Sequence, residues 1–307
     1  MPQFSVIIPC YNSAAWLARC LDSVFYQSGC DYEVIAVDDG SADDTLSVLK
    51  NYGHGLKVLS QPNQGAGVAR NLAISHSKGD YIATLDADDV WFPWTLPIYR
   101  ELITRFERPN IIAGRPRHFE EDTELGNWTT PGSVNVRQYA NFYEAARDGF
   151  WFLLNGALLV KRDVLQACGG FADRKINSED THLFMKFGMS PSFVAVKSPQ
   201  LFGYRLHGAN AIFNTHLNQA GCLYLISQEK EEAYPGGTEM QRIRRTMLTT
   251  HARSASIACV RAGDISAGWE LYLQTFKWNV ALRRFKYLFG FALLLVKAMI
   301  MKVFVPK

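Results

Sequence analysis

Within the first 85 residues, short apolar runs alternate with segments of helical periodicity, and each run ends in a polar turn. Phe4-Ser5-Val6-Ile7-Ile8-Pro9 precedes residues 13–27, where Trp16, Leu17, Cys20, Leu21, Val24 and Phe25 recur at helical spacing. Glu33–Val37 ends in Asp38-Asp39-Gly40-Ser41 and leads into a helix from Asp43 to Asn51. Leu56–Ser60 precedes Gln61-Pro62-Asn63-Gln64-Gly65 and a helix from Ala66 to Ser77, and Tyr81–Leu85 is the fourth strand. This order predicts an α/β fold, a mostly parallel sheet with helices on both faces, because parallel neighbours need a crossover and crossovers are right-handed. All four strand ends then share one edge, outside which ligands of such sheets bind. Tyr11, Asp38, Asp39, Asn63 and the acids after the fourth strand are expected to line one crevice there.

Those last acids are three carboxylates in four residues, within Thr84-Leu85-Asp86-Ala87-Asp88-Asp89. Alternating side chains put Asp86 and Asp88 on one side of an extended backbone, a geometry suited to holding a divalent cation against a diphosphate. Alone, the cluster reads more readily as a strand-end turn, in which short acidic side chains take free backbone amides, than as a metal site. Gly65-Ala66-Gly67-Val68-Ala69-Arg70 lacks the final small residue of a dinucleotide fingerprint. Its glycines let the backbone pass close to a ligand, and Arg70 offers positive charge to a diphosphate or to the acids, or forms an ordinary ion pair.

The middle of the chain is less periodic. Residues 116–149 read as loop-rich and polar, Gly156–Val160 as a strand and Lys161–Ala167 as a short helix. Asn177-Ser178-Glu179-Asp180 opens a helix with Leu183, Phe184 and Phe187 on one face, capped by Asn177 or Ser178. Phe193–Val196 and Phe202-Gly203-Tyr204 read as extended. From Leu217 the chain turns helical, with one break at Tyr234-Pro235-Gly236-Gly237. The expected domains are 1–215, α/β, and 216–307, a helical extension.

Composition adds a charge division. From Met240 onward twelve Lys/Arg face only Asp264 and Glu270, which leaves the first 239 residues at about −7. The six cysteines form no C-x-x-C pair and read as buried thiols of a reducing cytosol. The opening strand-like run carries no charged leader or apolar signal core, so a cytoplasmic protein is expected.

Five segments, in order and at matching spacing over residues 4 to about 210, resemble the family 2 glycosyltransferases. They are Ser5–Asn12, Val37-Asp38-Asp39-Gly40-Ser41, Gln64–Asn71, Gly79–Asp89 and Ser178-Glu179-Asp180. The resemblance implies a GT-A (Rossmann-like) fold and inverting transfer from a nucleotide-sugar donor. It implies donor contacts from Pro9, Tyr11, Asn12, Asp38, Asp39, Asn63, Gly65, Arg70, Asp86, Ala87 and Asp88. Tyr11 would flank the base, and the Asp39 carboxylate would accept from a base imide N–H, which favours UDP. The last Asp of the family's Asp-x-Asp motif maps to Asp88, the ligand of Mn2+ or Mg2+, with Asp86 toward sugar or ribose and His207 completing the metal set. Asp180 is the expected base that deprotonates the acceptor hydroxyl, with Glu179 the second choice; helix capping is the plain alternative for both. Trp91 and Trp151, with neighbours Trp94, Phe150 and Phe152, are weaker candidates for an acceptor platform, and core packing explains them nearly as well.

Residues 281–307 mix Arg283, Arg284, Lys286, Lys297, Lys302 and Lys307 with large apolar side chains and carry no acid. That suits a helix lying on an anionic cytoplasmic leaflet at the inner face of the cell membrane. A helix packed on the catalytic domain or a second subunit, or a short tilted span, fits the same composition. The expected activity is metal-dependent transfer from a nucleotide sugar to a saccharide or lipid-linked acceptor in surface polysaccharide assembly. The alternatives are a nucleotidyltransferase, for which Pro9–Ser13 lacks a Gly-rich basic loop, and a non-catalytic sugar-binding protein. No nucleic-acid partner is expected, because the basic residues alternate with aliphatic ones.

Overall fold

In a computed structural model, which describes residues 2–53, 55–126, 131–151 and 155–304 and side chains as far as 300, the chain forms two units. One comprises residues 1–175 with 187–207, the other residues 176–186 with 208–307.

The first unit is built on strand β1 (Phe4–Cys10), whose apolar run is buried on both faces, as a parallel strand between helix layers must be. Helix α1 (Ala14–Phe25) follows, burying Leu17, Cys20, Leu21 and Val24, whose three- and four-residue spacing makes a single stripe. Each of its leucines contributes about 1.5–3 kcal/mol by leaving water. Then come β2 (Tyr32–Asp38), α2 (Thr45–Asn51), β3 (Leu56–Ser60), α3 (Ala66–Ser75) and β4 (Tyr81–Thr84). All four strands are parallel, with β1 between β2 and β4. The expected alternation is therefore the observed one.

The chain continues through β5 (Val90–Trp91), α4 (Thr95–Arg105), β6 (Ile111–Ala113), β7 (Pro116–Phe119), β8 (Asn135–Tyr139), α5 (Phe142–Arg147), β9 (Leu158–Lys161) and α6 (Arg162–Ala167). Helix α7 (Glu179–Lys186) separates these from β10 (Phe193–Ser198) and β11 (Phe202–Arg205). The large sheet has the order β3-β2-β1-β4-β9-β6-β10-β8, with β9 and β8 running against their neighbours. Strands β5, β11 and β7 form a small second sheet. The polar stretch 116–149 thus holds β7, β8 and α5, where loop was expected. Short strands with exposed residues show no local signal, and each finds its partner far along the chain, β7 on β11 and β8 on β10.

Progression from β1 outward to β3 and back across to β4 makes a topological switch, and the loops after β1 and β4 flank it.

In the second unit, α7 packs with α8 (Thr215–Lys230) and α9 (Gln241–Arg261), followed by α10 (Ile265–Ala281) and α11 (Phe285–Phe304). Residues 176–186 lie in this unit, whereas the expected division at 215 assigned them to the first. Gly221 of α8 allows that packing: a Cβ there would overlap the Asn177 carbonyl oxygen. Asn177 stands two residues before α7, and its Nδ2 donates to Ala211 O and Asn218 Oδ1, both at 2.7 Å. Ser178 takes the cap position, its carbonyl accepting from His182 N at 3.1 Å. Two further helix breaks follow the one expected: Gly263 at φ 90° with Asp264 capping α10 through Ala267 N, and Arg283 at φ 56° before α11. A buried ion pair, Glu229 with Arg244 at 2.6 Å, ties α8 to α9, and Arg244 also donates to Pro235 O and Gly237 O. Helix α11 packs Tyr287, Leu288, Phe291 and Leu295 against Val260 and Tyr272. No helix among the described residues is long and apolar enough to cross a membrane.

Candidate active site

The loops at the carboxyl edge of the first unit are pinned to each other by side chains. Asn12, in the left-handed region at φ 48°, donates its backbone N–H to Ser41 Oγ (3.0 Å), and its Oδ1 accepts from Ala42 N (2.8 Å). The turn after β1 is thereby fixed to the turn after β2. Tyr11 projects from it 49% exposed, with Lys175 Nζ 5.8 Å from its ring centre, while Pro9 is half-buried at the end of β1. Asp38 accepts from Ser41 N (3.2 Å) and Ser60 Oγ (3.3 Å). The buried Asp39 accepts from Gln61 Nε2 (2.7 Å), Gln64 N (2.9 Å) and Gly65 N (2.8 Å). A carboxylate offers about four acceptor sites, and with these three bonds Asp39 organises the loop after β3. Gly65 is required there: its φ is 96°, and a Cβ would come 2.9 Å from Lys175 Cα. On the same loop Asn63 Oδ1 is buried without a hydrogen-bond partner among the described residues.

The fourth loop carries the acidic cluster. Arg70, buried on α3, meets Asp86 Oδ1 at 2.5 Å, and its guanidinium lies 5.2 Å from the Phe171 ring centre. Of the partners open to Arg70, the structure shows a carboxylate of the acidic cluster. Two residues on, Asp88 Oδ2 lies 2.9 Å from His207 Nε2, joining parts of the chain 119 residues apart. Pairing of β11 with β5 makes this contact possible by laying the segment before His207 against the segment after Asp88. Burial first, and the Asp86 charge second, push the Asp88 carboxyl above its ordinary range, opposed by the His207 hydrogen bond. Ala87 is buried between the two acids. Asp89 is buried and serves as a support: its Oδ1 accepts from Arg205 N (3.0 Å), and burial with the Asp88 and Asp86 charges holds its carboxyl well above the ordinary range.

Two residues here escaped the sequence reading. Arg205 donates its Nε to Asp88 O (3.0 Å) and pairs with Asp122 (2.7 Å), so it grips the acidic loop through backbone and side chain. Trp16 counted as one apolar position of α1, yet its indole stacks on the His207 imidazole, 3.9 Å between ring centres and 24° between planes. The only sequence signal for Arg205 was its place beside His207; for Trp16 there was none.

The arrangement suits a hard divalent cation in part. Asp88 and His207 set one oxygen and one nitrogen donor side by side in a partly enclosed position, next to more negative charge than Arg70 neutralises. Among the described residues no group of three or more His, Cys, Asp or Glu is placed to hold a metal, and Asp86 faces Arg70. A cation here would take its remaining ligands from a diphosphate and water, the usual way Mg2+ is held.

Glu179 and Asp180 open α7, in the second unit. Asp180 Oδ1 accepts from Thr181 N (2.6 Å) and Thr181 Oγ1 (3.3 Å), and that hydroxyl lies 3.3 Å from His251 Nε2. Trp91 does not present a face for a sugar: it is fully buried, its indole N–H donating to Gly156 O (2.8 Å). Phe150 is buried as well; Trp94 and Trp151 are half-buried, and Phe152 lies outside the described residues.

A mostly parallel sheet with an acidic loop at its switch point is the design of a GT-A glycosyltransferase. The sequence profile of glycosyl transferase family 2 matches residues 5–168. An uncharacterized glycosyltransferase of Rickettsia prowazekii is 33% identical over 224 residues, 71% of this chain and 68% of that protein. Among solved structures, S. aureus TarS 1–349 in complex with UDP-GlcNAc superposes with a TM-score of 0.59 at 16% identity, over 90% of this chain and 92% of that one. The mannosyltransferase PcManGT from Pyrobaculum calidifontis, in complex with GDP-Man and Mn2+, does so with 0.58 at 19% identity, over 100% and 88%. The chain belongs to glycosyl transferase family 2 and is a glycosyltransferase.

Proposed function

We propose that this enzyme moves a sugar, with inversion, from a UDP-sugar to a hydroxyl of a saccharide or lipid-linked acceptor in surface polysaccharide assembly. The observation that carries the reading is the Asp88–His207 pair beside Asp86–Arg70 at the switch point. Donor base and ribose are assigned to Tyr11, Asp38, Asp39 and Asn63, with Pro9, Asn12, Gly65 and Ala87 shaping the backbone around them. The exposed Tyr11 ring supplies a stacking face, and the remaining acceptor site of Asp39 fits the uracil imide N–H.

Asp88 and His207 would hold Mn2+ or Mg2+, which when bound stabilises charge on a departing diphosphate. Asp86, paired with Arg70, is assigned to the donor sugar or ribose. Asp180 is the proposed base: the acceptor oxygen bonds to the anomeric carbon, the bond to the diphosphate oxygen breaks, and the hydroxyl proton goes to the Asp180 carboxylate. Hydrogen bonds from Thr181 N and Oγ1 to its Oδ1 orient that carboxylate. Glu179 is the alternative base. The α/β unit is read as the donor-binding domain and the helical unit as its extension, with the enzyme working at the inner face of the cell membrane.

Replacing Asp180 by Asn should lower turnover at least 100-fold while UDP affinity in the presence of Mn2+ changes little. Retained turnover would remove Asp180 from the base role.

A further inference from the structure

Helices α10 and α11 each bury one face and leave another apolar face in solvent. On α10, Trp269, Leu273, Phe276 and Val280 are exposed and follow a 4-3-4 spacing, a stripe opposite the buried Leu271, Thr275 and Trp278. On α11, Phe285, Phe289, Leu293 and Val296 form a second stripe at 4-4-3 spacing, Phe289 at 72% and Leu293 at 71% exposure. The two helices touch through the buried Tyr272, which stacks on Phe291 (4.9 Å), donates its hydroxyl to Leu288 O, next in sequence to Phe289, and also stacks with the Trp269 ring (5.2 Å). Isolated apolar residues on a surface are ordinary, but two adjoining stripes of large side chains mark a contact surface.

Charge identifies the occupant. No acidic residue follows Glu270, while seven Lys and Arg do. Lys277, Arg283, Lys286 and Lys297 among them are exposed on these two helices or the turn between them. By the 100° step of a helix, Lys286 and Lys297 border the α11 stripe on one side, where their stems extend the apolar surface and their ammonium groups reach beyond it. A second copy docked by the same face would oppose like charges, and no described helix is built to cross a bilayer. We infer that the α10–α11 face docks on the surface of an anionic lipid bilayer, its aromatic and aliphatic side chains entering the headgroup boundary and its basic residues meeting lipid phosphates. The inference deepens the membrane contact in the functional reading above and rests on it only for its purpose.

Flotation of the full chain with phosphatidylcholine vesicles, with and without phosphatidylglycerol, tests this. Binding should require phosphatidylglycerol and weaken with salt. The double variant Phe289→Ser/Leu293→Ser and the double variant Lys286→Glu/Lys297→Glu should each partition about tenfold less. All four positions are exposed, and unchanged Mn2+-dependent UDP affinity in each variant confirms intact folding. Wild-type levels of vesicle binding by either variant, or no binding by the parent chain, would overturn the inference. So would a dimer in solution that the first variant dissociates, since it gives the face to a second copy. Vesicle binding by a chain without UDP affinity would leave the docking surface standing and remove the functional reading instead.

Discussion

At the scale of single residues, the site depends on contacts that hold its chemistry in place. His207 is bounded on one side by Asp88 and on its ring face by Trp16. Outer contacts that orient a metal ligand typically affect metal affinity 10- to 100-fold. Trp16→Leu is therefore expected to raise the Mn2+ concentration needed for half-maximal UDP binding about tenfold, with Trp16→Phe closer to the parent; calorimetry at graded Mn2+ reads both. Equal Mn2+ dependence in the parent and Trp16→Leu would reduce the stack to core filling. Legibility in the sequence follows the same divide. Asp86, Asp88, Asp38 and Asp39 stood out because each follows a strand, a local signal. Trp16 and Arg205 did not, because their roles exist only after β11 has paired with β5.

At the scale of elements, the first four strands were readable because each carries its own apolar run and turn. The strands β6, β7 and β8 were not, because they are short and depend on partners contributed by β9, β10 and β11. The break at Gly263-Asp264 carries a glycine stop and an aspartate cap in its sequence, whereas the one at Arg283 has no glycine or proline to mark it. Packing of α7 on α9 has a pH signature. Burial lowers the His251 pKa from 6.5 to about 4, and its Nε2 lies 3.3 Å from the Thr181 hydroxyl. The unfolded chain takes up this proton near pH 6.5 and the folded chain near pH 4, so the stabilisation is complete above pH 6.5 and is lost as pH falls toward 4. The ceiling is about 3 kcal/mol, reduced by residual solvent contact of the ring. Urea unfolding between those pH limits should show a shallower pH slope for His251→Gln than for the parent; identical slopes would contradict this account of the α7–α9 contact.

At the scale of the whole molecule, two units divide the work proposed for the enzyme. The α/β unit holds the residues proposed for donor and metal, and the helical unit carries Asp180 and the basic, apolar face. Charge is divided along the same chain, about −7 before residue 240 and strongly positive after it. The charge division and the helical C-terminal part are legible in the sequence, but the boundary of the units is not, because Ile176–Lys186 leaves the α/β unit and the chain returns to it at Phe187. The central claim is that Asp88 and His207 hold a divalent cation against a nucleoside diphosphate. Calorimetry of UDP with and without Mn2+, on the parent chain and on Asp88→Asn, measures it most directly. The account predicts that Mn2+ tightens UDP binding by tenfold or more in the parent, and that Asp88→Asn loses this gain while keeping the weak metal-free affinity. Equal UDP affinity with and without Mn2+ in the parent, or an undiminished Mn2+ effect in Asp88→Asn, would contradict it.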